Sequence, residues 1–165
     1  MKDRTLCFLI KENLEPEILL GFKKVRFGAG KYAGFGGGVE PGESIIGAAV
    51  REMKEEAGVI VFEDSLQQVG HLTFLFPANP SWSQVVHVFL THTWEGTPVE
   101  SEEMRPDWFP QDRVPYEQMW QDAAQWLSKI LAGEHIRATF TFNADNETVG
   151  DVQFEAWDTV KSYES

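Results

Sequence analysis

Cysteine is almost missing from this chain. Cys7 is the only one in 165 residues, so no internal disulfide can form and a reducing compartment is the expectation. Positive charge is scarce too. Fourteen Lys and Arg stand against 26 Asp and Glu, a formal net charge of -12 with a pI near 4.7. Such a surface repels nucleic-acid backbones and anionic lipid, which argues against a duplex partner or a membrane partner. Long apolar runs are lacking. The N-terminal run TLCFLI is six residues and ends at Lys11, too short for a signal peptide, and no stretch approaches a membrane span. The four histidines, His71, His87, His92 and His135, share no metal-like spacing, and His87 and His92 read as strand residues. There is no internal repeat and no low-complexity linker. These absences lead to the expectation of a cytoplasmic protein, residues 1–165 forming a single domain, with a monomer as the default state.

Aromatic residues are plentiful, with six Trp and twelve Phe. Apolar alternation predicts strands at TLCFLI, EILLGFKK, QVGHLTFLF and SQVVHVFLTHTW, with a short one at DWFP. The segment 26–43, RFGAGKYAGFGGGVEPGE, holds seven glycines in eighteen residues, where backbone must bend tightly or approach something closely. Helical spacing predicts one helix from Ser44 to Ala57, with Ile46, Val50, Met53 and Ala57 as its apolar stripe, Ser44 as N-cap and Gly58 at its end. A second helix is predicted over Tyr116–Leu131, followed by a hairpin around NADNET. Strands, helix, strands, helix, strands imply a mixed α/β or α+β fold with helices packed on a sheet.

The first helix carries Glu52, Glu55 and Glu56 within about 100° of arc, beside its apolar stripe. Like charges so placed cost a helix ~0.2–0.5 kcal/mol per pair. A solvated acidic face accounts for most such runs. A divalent-cation site accounts for this one better, because hard cations take carboxylate oxygens together with substrate phosphates. The context supports that choice: a glycine-rich loop lies just upstream, and Glu43 and Arg51 stand at fixed distances.

Gly37, Glu43, Arg51, Glu52, Met53, Glu55, Glu56, Gly58 and Val59 fill the pattern G-x5-E-x7-R-E-U-x-E-E-x-G-U, U being aliphatic. This stretch resembles the Nudix box. The resemblance implies a mixed sheet sandwiched between helices and hydrolysis of a nucleoside diphosphate linked to another group. It implies Mg²⁺, with Mn²⁺ as a substitute, held by Glu52, Glu55, Glu56 and the carbonyl of Gly36. Glu56 or a neighbour would help to deprotonate the attacking water, while Arg51 and Glu43 would tie loop to helix by an ion pair.

GFKK, FGAGKYAGFGGGVEPGES, GTPVESEEMRPDWF and MWQDAAQW extend the likeness to most of the chain. They resemble the MutT-like oxidised purine nucleoside triphosphate hydrolases of animals, the 8-oxo-dGTPase type that cleanses the nucleotide pool. That likeness implies nucleotide contacts from Thr5 and Lys23, a loop under the substrate from Phe35, Gly36, Gly37 and Gly38, and pocket walls from Phe74 and Phe76. It further implies that Trp120 stacks on the base, Asp122 faces its hydrogen-bonding edge, Trp126 closes the far side, and Glu103 is one more carboxylate near the metal. Two departures stand out. Ala33 occupies the place of an asparagine that reads the base, and Ala123 that of a second acidic residue. The leading expectation is pyrophosphate release from oxidised purine nucleoside triphosphates. Other diphosphate substrates (a nucleotide sugar, a dinucleoside polyphosphate, an RNA 5′ end) stay open. So does a non-catalytic ligand-sensing module, against which the full set of glutamates weighs.

Overall fold

The computed structural model describes residues 1–157. Among these described residues, eight strands and two α-helices follow one another: β1 (Lys2–Lys11), β2 (Glu17–Lys23), β3 (Tyr32–Ala33), α1 (Ile45–Ala57), β4 (Gln67–Leu75), β5 (Gln84–Thr91), β6 (Met104–Pro110), α2 (Ala123–Leu131), β7 (Ile136–Phe142) and β8 (Val149–Glu155). The strands join in the order β3-β2-β1-β5-β4-β7-β8, with β6 added along β2. The β1–β5 and β4–β7 pairs are parallel and the others antiparallel, so the sheet is mixed, as expected.

Strand alternation sends side chains to two separate cores. Phe8, Leu72, Val88 and Phe140 face α2, with Trp126, Leu127 and Ile130 packed on them. Cys7, Leu9, Leu19 and Phe89 face α1, with Ala49, Met53 and Ala57 on them. No helix among the described residues is long and apolar enough to cross a membrane.

Ser44 caps α1 as its chemistry predicts, its hydroxyl accepting from the Gly47 N–H at 3.0 Å. Gly58 ends it at φ 69. The buried stripe is Ile45, Ala48, Ala49, Met53 and Ala57, with Ile46 and Val50 only at its margin. The expected stripe is thus turned by one residue, because the alanines let the helix lie close to the sheet and the larger aliphatics flank the contact.

Three other elements differ from the sequence expectation. Strand β6 runs seven residues, since the whole length of β2 is there to pair with it. Strand β5 stops at Thr91, leaving His92 beyond it. The second helix starts at Ala123, not Tyr116. A 3-10 turn over Tyr116–Gln118 gives way to an extended Met119 (φ -118, ψ 172). That break turns Met119, Asp122 and Ala123 inward together, and burying all three outweighs the helix propensity of the segment.

Candidate active site

Strands β1 and β2 pair only at one end, through Ile10–Ile18 and Lys11–Glu17, and then splay apart. The segment 32–38 fills the gap as a wedge. Tyr32 and Ala33 pair with β2, and then Phe35 and Gly38 pair with Cys7 and Arg4 on β1. Backbone bonds from Thr5 N to Gly37 O (2.9 Å) and from Cys7 N to Phe35 O (2.7 Å) close the seam. Two glycines make it feasible. A Cβ on Gly36 would fall on the Thr5 carbonyl, and one on Gly37 would lie 2.7 Å from the Glu52 carboxyl carbon. Helix α1 docks against this wedge, bringing its glutamates over the glycines.

The three helix carboxylates differ sharply in setting. Glu55 is exposed, Glu52 is mostly covered and Glu56 is only 4% exposed. Glu56 accepts from the Gly36 N–H at 2.8 Å. Burial pushes its carboxyl up to about 7. That hydrogen bond, Lys23 and Arg4 pull it down, while Glu52 pushes it further up.

Arg51 organises the rest. It grips Glu43 with two bonds of 2.7 and 3.0 Å, reaches Glu52 at 2.7 Å and Glu55 at 3.1 Å, and donates to the Gly38 carbonyl at 3.0 Å. Bonding to Arg51 holds the Glu43 carboxyl below the usual range.

The α1 glutamates border an acidic cavity, and a second cavity lies over the wedge, between the sheet and α2. Phe74, Phe76, Trp120, Asp122 and Trp126 line it. Phe76 and Phe142 stack at 4.4 Å, and the Phe27 ring lies on Trp120 at 5.2 Å, 18° from parallel. Asp122 is buried in this apolar wall and accepts from the Trp126 indole N–H at 2.7 Å. Burial pushes its carboxyl up to about 6, against that bond. Ala33 and Ala123 both face this cavity, so the two departures noted in the sequence fall in one place.

The two cavities join. Arg4, Lys23, Phe27, Gly36 and Glu56 line both. The inner, aromatic part is narrow, about 140 Å³. The outer, acidic part is roomier at about 630 Å³ and takes in Gly37, Gly38, Glu52, Glu55 and Glu103. Glu103 pairs with Arg26 and stands 3.8 Å from Lys23. Of the residues singled out in the sequence, Thr5, Phe74, Phe76, Trp120, Asp122 and Trp126 fall in the inner part. Glu43 and Arg51 brace the outer part from behind, and Phe35 buries its ring in the core on the α1 side, lining neither.

Sequence reasoning missed Arg4, Arg26, Phe27 and Gln84. Gln84, at the start of β5, puts a neutral amide among the inner walls. Its even-numbered register with Val86 and Val88 was the one available signal.

The donor set suits a hard divalent cation: carboxylate oxygens beside a backbone held so close that Gly37 has no room for a Cβ. Among the described residues, no three His, Cys, Asp or Glu side chains are gathered tightly enough to hold one. The geometry gives the reason. Arg51 draws Glu52 and Glu55 onto its own guanidinium, and a cation would have to take them from it.

Known proteins resemble this chain in sequence and in fold. The NUDIX domain model matches residues 2–130. The oxidized purine nucleoside triphosphate hydrolase of Mus musculus is 43% identical over 137 residues, covering 82% of this chain and 85% of that one. That of Danio rerio is 42% identical over 132 residues, 80% and 83% of the two chains. A crystal structure of a MutT mutator protein from Bacillus halodurans superposes with a TM-score of 0.77 at 22% identity, covering 94% of this chain and 98% of that chain.

Proposed function

The chain belongs to the NUDIX domain family, and from that membership we propose that it hydrolyses oxidised purine nucleoside triphosphates of the 8-oxo-dGTP kind. The products are a nucleoside monophosphate and pyrophosphate. The observation that carries this reading is the single joined cavity, aromatic and narrow at one end, acidic and wide at the other. A flat base fits the first and a polyphosphate with its counter-cation the second. The two ends meet at Glu56 and Gly36.

The residues have distinct tasks. Glu52, Glu55, Glu56, Glu103 and the Gly36 carbonyl would hold Mg²⁺, for which Mn²⁺ can substitute. The bound cation would neutralise phosphate charge and make a bound water more acidic. Glu56 can receive that water's proton, because its carboxylate stands at the ring the two ends share, fixed by the Gly36 N–H. Arg51, anchored by Glu43, keeps helix and wedge in register, so that the carboxylates stand where the phosphates pass. Trp120 offers its face to the base, which displaces Phe27 from it. Asp122 reads the base edge, with the Gln84 amide and the unpartnered Thr5 hydroxyl as neutral groups nearby, since Ala33 and Ala123 have nothing to offer. We read the protein as a cytoplasmic monomer working on free nucleotides.

The test is pyrophosphate release from 8-oxo-dGTP and dGTP, with Mg²⁺ and with EDTA. Mg²⁺-dependent release with 8-oxo-dGTP among the better substrates is expected. No release from any nucleoside triphosphate sinks the reading.

A further inference from the structure

Three cationic side chains line the acidic cavity: Arg4, Lys23 and Arg26. They are not equivalent. Arg4, half-buried on β1, faces both cavities and lies close enough to Glu56 for its charge to act on that carboxyl. Arg26 faces the outer cavity alone. A substrate with its base in the aromatic end has its first phosphate at the shared ring and its last two beyond it. Building on the reading above, we propose that the two arginines divide the phosphates. Arg4 holds the α-phosphate, which leaves in the monophosphate, and Arg26 holds the β,γ unit, which leaves as pyrophosphate.

Arg26 has a backbone oddity that agrees with this. Its φ is 66, the left-handed region that a non-glycine residue enters only at a cost. Such strain persists where the surroundings fix it, and it collects at ligand clamps. Here Gly30 N–H bonds back to the Lys23 carbonyl at 2.8 Å and Ala29 N–H to that of Arg26 at 3.0 Å, closing a tight loop with Arg26 inside it.

The guanidinium of Arg26 pairs with Glu103, but its side chain is 71% exposed, and pairs at such exposure contribute little. Glu103 also has Lys23 within 3.8 Å, so it keeps a cation if Arg26 turns away. Exchanging one carboxylate for two phosphate oxygens suits a planar fork of donors. The cavity walls need such cations. Glu52, Glu55, Glu56, Glu102 and Glu103 already make the outer cavity acidic, and the incoming triphosphate adds more negative charge.

The experiment uses the two products as separate probes. Inhibition constants of inorganic pyrophosphate and of 8-oxo-dGMP are measured against 8-oxo-dGTP turnover in wild type, Arg26→Ala, Arg4→Ala and Arg4→Gln. Titration calorimetry of each product follows binding without turnover. Arg26→Ala is expected to weaken pyrophosphate about tenfold and leave 8-oxo-dGMP within about twofold, the scale of one charge-assisted hydrogen bond. The Arg4 variants should do the reverse, and Arg26→Lys should recover part of the loss. Thermal unfolding shows which variants are folded, and Arg4→Gln keeps a side chain of similar reach should Arg4→Ala not fold. Both products weakened alike, or neither, would overturn the division. A wild type that binds pyrophosphate yet hydrolyses no nucleotide would refute the proposed activity instead, leaving calorimetry to decide on the arginines.

Discussion

The acidic end of the cavity takes three carboxylates from one and a half turns of a single helix. The aromatic end takes its walls from β1, β3, β4, β5, β7 and the approach to α2. The first draws those three from one short stretch and adds Glu103 from beyond β5, whereas the second is assembled from afar throughout. On the proposed reading, the helical end keeps every acidic group that cleavage needs. The assembled end keeps its rings and Asp122 but has alanine at positions 33 and 123. On the proposed reading, bond cleavage and the choice of base are carried by differently built parts, and they can be damaged separately.

The largest effect is expected at the acidic end. Glu56→Gln should lower kcat by roughly 10²–10⁴-fold, the range for a positioned proton acceptor, with little change in the circular dichroism spectrum. The amide still accepts from Gly36 N–H, so the fold keeps that bond. Wild-type turnover in this variant would separate the glutamate from the chemistry altogether.

At the aromatic end, the next largest effect concerns pH and stability. The folded-state carboxyl of Asp122 is raised by burial to about 6, above its ordinary 3.8. The native state therefore holds a proton that the unfolded chain releases between these values. Stability from this group falls as pH rises from about 4 to about 6, then levels off, a span of roughly 3 kcal/mol. Asp122→Asn should remove that slope while keeping an acceptor for the Trp126 indole. Urea unfolding at pH 4.5 and pH 7.5 for both proteins gives the difference, and equal slopes would mean that the carboxyl is not desolvated.

Trp120→Ala is expected to weaken nucleotide binding by about 1–3 kcal/mol, the range for base–aromatic stacking. Inorganic tripolyphosphate should bind it nearly as well as the wild type does. Equal losses for both ligands would make Trp120 a packing residue and merge the two ends after all.

The smallest effect returns to the acidic end without touching its chemistry. Ser44→Ala removes the cap of α1 and should cost about 1 kcal/mol in thermal or denaturant unfolding. kcat should hold, because tertiary packing still docks the helix on the wedge.

The same contrast governs what could be read in the residues. Helix α1 was legible to its caps, because capping and the glutamate spacing are local relations. The mixed sheet and its helical layers were legible as well. The inner cavity was legible only through likeness, and then in part. Gln84 and Arg4 reach it through the β1–β5 register, a long-range pairing that no short window carries. The start of α2 was misjudged for a related reason. Nothing local stops a helix at Met119, and only burial against distant strands bends it. Phe35 was read with the loop under the substrate because it sits among glycines that line the cavity, yet strand alternation turns its ring the other way.

The wedge at 32–38 also joins the site to the sheet like the teeth of a zipper. Cys7, 0% exposed and with its thiol pushed up to about 12 by burial, sits under the tooth formed by Phe35. No other thiol exists in the chain. The rate at which a thiol reagent reaches Cys7 thus counts every opening that uncovers the core between the sheet and α1, separation of this seam among them. A ligand that clamps the catalytic floor would lower that count, so the protein carries its own clock for site integrity.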